Sequence, residues 1–230
     1  MELIELSGDP AIAIKVTVSS RARRLSLRIS QLDGKVTMTV PRGIALQTVQ
    51  NFAEEKEAWI RKHLSRQVSS LTLEYGTKVM VEGQSLTIIP ADGRKVRVQD
   101  DQLLVPGVAA RVGARVAGFL KVLARERLSQ ASDHYADKLG RRYGRITLRD
   151  TRSRWGSCSS DGNLMYSWRL VMAPKSVLDY VAAHEVAHLA EMNHSRKFWA
   201  HVDRLYPGYE VPRQWLRKNG ASLHRYRFSD

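Results

Sequence analysis

The sequence predicts an α+β protein. Short segments show period-two apolar alternation and are separated by Gly, Pro and Asp. Other, longer stretches follow the 3.6-residue period of a helix. The two kinds are grouped along the chain rather than strictly alternating, which is the α+β pattern.

Leu25, Leu27 and Ile29 alternate with polar residues, as do Val36, Met38 and Val40. Asp33-Gly34 between them predicts a β-hairpin, closed by Pro41 and Gly43. From Ile44 to about Gln67 the period changes, and Leu46, Val49, Phe52, Ala53, Trp59 and Ile60 predict an amphipathic helix. "TKVMVEG", "QSLTIIP", "RKVRVQD" and "QLLVPG" predict a strand meander. A helix follows over about Ala110 to Leu139, with a break expected near Ser129 and a stop at Gly140.

"RITLRD" predicts a strand, "SRWGSCS" an extended or turn segment, and "NLMYSWRLVM" a further strand after the Asp161-Gly162 turn. The next helix is expected over Val177 to Met192. Ser176 and Asp179 have capping spacing at its start, and Asn193 suits a left-handed end. Ser195 is placed to cap one more helix, "RKFWAHVDRLY", which Pro207-Gly208 stops. No internal repeat is legible. "PGVAA" predicts a boundary, giving a β-rich region with one long helix over 1–108 and a second region over 109–230.

The chain has 230 residues and 43% hydrophobic content, enough for a real core and too much for a disordered chain. Cys158 is the single cysteine, which excludes an internal disulfide framework and fits a reducing compartment. The N-terminus shows no secretory leader pattern, and no apolar run reaches the roughly 18 residues of a membrane span. The cytoplasm is the expected location. A net charge of +14 admits an acidic partner, nucleic acid included, although the arginines are dispersed as on a solvated surface.

The stretch "DYVAAHEVAHLAEMNHSRKFW" breaks the bland pattern. His184 and His188, four residues apart on a helix, leave the same face and can share one metal ion at about 2.0–2.1 Å each. Glu185 lies to the side, where it can act on water without being a ligand. This H-E-x-x-H arrangement is that of zinc plus general base. Catalytic zinc normally takes three protein ligands. His194 is the first candidate for the third because it follows a turn directly after the metal helix; His201 and Glu210 are the others. Polar groups on a helix of Val, Ala and Leu would otherwise be buried without compensation. Cys158 reads as structural, and Trp155, Trp168, Trp199 and Trp215 as core or cleft wall.

On "RWGSCS", "HEVAH" and "NHSRKFW", with "RARRLSLRI", "VPRG" and "EKEAWIRKHL" before them, the chain from about Arg21 to Leu216 resembles the YgjP-like zinc metallopeptidases, relatives of the SprT-like group. The resemblance implies a zincin-like catalytic domain with His184, His188 and His194 as zinc ligands and Glu185 as the base acting on a zinc-bound water. It also implies an edge strand beside the active helix that binds extended peptide, which makes Trp155, Gly156 and Ser157 candidates for substrate contact. Metzincins share the histidine spacing, but Glu191 stands where they carry glycine and no methionine follows Met192. The expected function is therefore hydrolysis of peptide or protein substrates with Zn2+ and without a membrane partner. The alternative is a basic, nucleic-acid-associated or adaptor module whose zinc is structural.

Overall fold

The computed structural model describes residues 3–30, 34–65 and 70–228. Asp33 of the expected Asp33-Gly34 turn and Gln67, the expected end of the first helix, lie outside the described residues. The chain divides into two units, Met1–Ser69 and Ser70–Asp230.

In the first unit, β1 (Leu3–Leu6), β2 (Ile12–Ser19), β3 (Ser26–Ile29) and β4 (Val36–Pro41) form a sheet of order β1-β2-β4-β3. The expected hairpin is the antiparallel pair β3–β4, while β2 runs parallel to β4. Strands β1 and β2 were not expected. Their alternation is plain in the structure, where Ile12, Ile14 and Val16 are buried between exposed Ala13, Lys15 and Thr17. The predicted 44–67 helix is two helices, α1 (Leu46–Glu55) and α2 (Glu57–Leu64), because Lys56 leaves helical geometry at φ −92° and ψ 0°. Ile14, Met38 and Ile60 meet in this unit's own core.

The second unit opens with β5 (Leu71–Thr72), β6 (Lys78–Val81), β7 (Gln84–Ala91), β8 (Arg97–Gln99) and β9 (Gln102–Pro106). The last four are not a meander. Strand β9 inserts between β7 and β8 and runs parallel to β7, giving the order β6-β7-β9-β8. This repeats the order and strand directions of the first sheet. Strands β4 and β9 both end in Val-Pro, and each leads to a helix. The contact division falls at 69/70, and within the second unit Leu86, Ile88, Leu103 and Val105 share one core with Val116, Leu120, Val177 and Val181.

Helix α3 (Val112–Leu139) runs unbroken through Ser129, since serine costs a helix only a few tenths of a kcal/mol. It stops at Gly140, left-handed at φ +69°, as expected. Strands β10 (Ile146–Arg149), β11 (Gly156–Cys158) and β12 (Leu164–Ser167) form a small sheet with β12 central, parallel to β10 and antiparallel to β11. The strand expected over "NLMYSWRLVM" stops at Ser167. Trp168–Met172 is a 3-10 turn with all five side chains buried, and such a run has the hydrophobicity of a strand without its geometry. Within it, Arg169 forks onto Asp150 (2.7 and 3.0 Å) and donates to the carbonyls of Leu223 and Tyr226, fastening the C-terminal segment.

Helices α4 (Lys175–Ala187), α5 (Arg196–Leu205) and α6 (Glu210–Asn219) follow, and β13 (Tyr226–Arg227) pairs with β5. Pro174, not Ser176, precedes the first turn of α4. The helix ends five residues before the expected Met192, and Asn193 is not left-handed. Helix α6, with Pro212 in its first turn where a missing N–H is harmless, was not expected.

Candidate metal centre

Helix α4 is buried along most of its length, and Ala182, Ala183, Val186 and Ala187 keep its sides small. His184 and His188 leave it on one face, with ring centroids 5.2 Å apart at 85°. The chain then unwinds in tight turns, with Leu189 N–H donating to Val186 O (3.0 Å) and Glu191 N–H to Ala187 O (3.2 Å). This early exit brings His194 back, its ring 5.1 Å from His184 and 4.9 Å from His188. One ring nitrogen from each of the three lies within 4.8 Å of the others. His201 and Glu210, the other candidates for third ligand, are not in the group.

The "NHSRKFW" stretch explains itself at this point. Ser195 Oγ accepts from Phe198 N–H (3.3 Å) and caps α5, as expected. The cap fixes Phe198, which is fully buried, under all three imidazoles at 4.9, 4.4 and 4.7 Å between centroids. Trp199 borders His184 and His194 at 5.7 and 5.9 Å. The floor role of Phe198 was not read from the sequence, although its i+4 spacing from His194 carries the signal.

The nitrogens fit a metal. Tetrahedral zinc with bonds of about 2.0–2.1 Å separates its ligand nitrogens by about 3.3 Å. The Nε2 atoms of His184 and His194 stand 3.1 Å apart, and His188 hydrogen-bonds through Nδ1 to Glu191 O (3.1 Å), leaving its Nε2 free to ligate. His184 Nδ1 is buried without a partner, so aromatic packing rather than a hydrogen bond holds that ring. Burial first, then the neighbouring histidines, push His184 down to about 3, which keeps it in the neutral form that ligates.

Glu185 is 5% exposed and lies against Gly156. A Cβ on Gly156 would stand 2.5 Å from Glu185 Oε1 and 2.7 Å from Cδ, so a side chain here would displace the carboxyl. Burial pushes the carboxyl up to about 8, opposed by the charge of Arg154.

The profile of the YgjP-like metallopeptidase domain matches residues 23–219. The chain belongs to the YgjP-like family. No curated protein matches the sequence. Among solved structures, the metallopeptidase zymogen abylysin of Pyrococcus abyssi is 21% identical, with a TM-score of 0.36 over 40% of this chain and 93% of that one.

Within this YgjP-like domain, strand β11 is an edge beside α4. Trp155 O accepts from Ser167 N–H (2.8 Å) and Ser159 N–H donates to Asn163 O (2.9 Å), so Trp155, Ser157 and Ser159 spend their backbone groups on β12 and the residue before it. By antiparallel alternation, Gly156 and Cys158 turn theirs to the open side. Of the three expected substrate residues, Gly156 therefore presents free backbone and Ser157 does not. Trp155 packs on His224 (5.0 Å) and beside Gly220. Cys158, whose open backbone groups were not read from the sequence, keeps its thiol protonated, pushed up to about 11 by burial and then by Glu185.

Proposed function

We propose that this chain is a zinc-dependent metallopeptidase in which His184, His188 and His194 hold the ion and Glu185 is the general base. A zinc ion, when bound, supplies a Lewis acid that acidifies water and polarises a carbonyl. The reading rests on one observation: three imidazole nitrogens converge on one side of α4, while Glu185, the residue after His184 on that helix, buries its carboxyl against Gly156 of an edge strand. Three imidazoles favour zinc over harder ions. Among the described residues no fourth side chain joins the group, as suits a catalytic rather than a closed structural site.

An extended peptide adds to β11 by pairing with Gly156 and Cys158. Glu185 takes a proton from water as the water oxygen bonds to the scissile carbonyl carbon. The same carboxyl then protonates the leaving nitrogen as the C–N bond breaks. Its buried setting against Gly156 holds it in one position for both transfers. Glu185→Gln should retain one zinc per chain and lose about 10²–10⁴-fold in kcat on a cleavable peptide. Cleavage at the wild-type rate would remove Glu185 from the role.

A second reading, association with nucleic acid, is favoured by one surface. Arg145, Arg149 and Arg154 line a cavity of about 690 Å³ with Ser159 and Asn163, and Asp161 is the one carboxylate in its lining. Arginine, hydroxyl and amide groups suit phosphate contacts. Fluorescence anisotropy with a DNA duplex should show binding that weakens steeply between 50 and 200 mM salt. Salt-independent binding, or none, would reject it.

A further inference from the structure

We propose that Arg213 is the group that stabilises the oxyanion formed at the scissile carbonyl. The inference rests on the peptidase reading above and adds a residue to it.

The structure separates the cationic and phenolic groups near the site. Tyr206 packs edge-on against Tyr135 of α3, with centroids 6.3 Å apart. Tyr226 is buried in β13, and His201 stands outside the histidine group. Helix α6 is different. Tyr209, at its start, stacks on Trp199 (5.2 Å, 18°) and on Tyr180 (6.3 Å, 14°). Arg213, one turn later, places Cζ 4.4 Å from the centroid of the same Trp199 ring, which borders His184 and His194.

Arg213 forms no ion pair among the described residues. A guanidinium stacked on an indole is pre-aimed, permanently charged and rich in donors, which are the properties of an electrophile that need not reorganise during reaction. The base and the cation thus come from separate elements: α4 carries Glu185, packed against β11, and α6 carries Arg213.

In the step assigned to Arg213, the water oxygen bonds to the carbonyl carbon and Glu185 takes the proton. The carbonyl π pair moves to oxygen, which accepts a hydrogen bond from the guanidinium. Collapse restores the C=O bond, expels the amine, and the amine nitrogen takes the proton back from Glu185.

The test uses the full-length zinc-loaded protein with Arg213→Gln, Arg213→Lys and Tyr209→Phe. The readouts are zinc content, kcat and KM on a cleavable peptide, and calorimetric affinity for a peptide phosphinate, a tetrahedral anion. Arg213→Gln should keep its zinc and its KM within about twofold while losing about 10²–10³-fold in kcat. Phosphinate affinity should fall by about 100-fold in parallel, and Arg213→Lys should recover part of both. An effect on KM alone, unchanged phosphinate affinity, or a loss carried by Tyr209→Phe instead would overturn the assignment. Wild-type protein that binds neither zinc nor phosphinate would overturn the peptidase reading, and Arg213 with it. Wild-type protein that binds both, with an indifferent Arg213→Gln, would overturn Arg213 alone.

Discussion

Gly156 is the residue on which the position of Glu185, the proposed base, turns. Glu185 occupies the space where any other residue at 156 would put its Cβ. Gly156→Ala must displace that carboxyl, and a displacement near 1 Å costs about 10²-fold in rate. The variant should keep its zinc and lose that factor in kcat; undiminished kcat would show that Glu185 tolerates the shift. Protonation gives a second prediction. In the metal-free protein Glu185 is raised to about 8, so from its ordinary value of 4.5 up to 8 the native state holds more protons than the unfolded chain. Its contribution to stability therefore falls as pH rises through that window. His184, lowered from 6.5 to about 3, acts in the opposite sense between those values. Above pH 6.5 the Glu185 slope stands clear of it. Chelated wild-type protein should lose urea resistance between pH 6.5 and 8, and Glu185→Gln should flatten that loss. An equal slope in both proteins would contradict the buried, protonatable carboxyl. At this scale the sequence was most legible. His184, Glu185 and His188 are named by spacing, and His194 as the first of three candidates for a third ligand, whereas the fit of Gly156 against Glu185 joins residues distant in sequence and has no local signature.

At the scale of elements, the turn between α4 and α5 assembles the centre. Helix α4 stops at Ala187 and the freed chain returns His194, after which the Ser195 cap seats Phe198 beneath the three rings. The apolar pattern continued past Ala187 and predicted a longer helix, because Leu189 and Met192 keep helical spacing while serving in turns. Ser195→Ala removes the cap and should cost about 1 kcal/mol by chemical denaturation, with weaker zinc retention because His194 is its neighbour. Phe198→Ala should cost about 3–5 kcal/mol, since a fully buried aromatic leaves a cavity under the histidines. Equal zinc affinity in both variants and the wild type would show that the turn is held by something other than this cap and floor.

For the whole molecule, two separate cores and a repeated sheet order set the organisation. The first sheet and its helices close one core, and the second sheet joins the metallopeptidase elements in the other. Neither the repeat nor the 69/70 division was legible, because strand order depends on pairing across the sheet and not on alternation within a strand. No helix among the described residues is long and apolar enough to cross a membrane. Two cores predict two calorimetric transitions, of which only the one belonging to residues 70–230 should move on chelation, by the equivalent of about 2.7 kcal/mol at zinc one hundred times above its Kd. A single transition, or a shift of both, would contradict independent units.

Zinc stoichiometry with X-ray absorption on the purified protein tests the central claim most directly. One zinc per chain, with three imidazole nitrogens at about 2.0–2.1 Å plus one oxygen, and its loss in His184→Ala, His188→Ala and His194→Ala, is the predicted result. Zinc bound by other residues, or retained by all three variants, would contradict it.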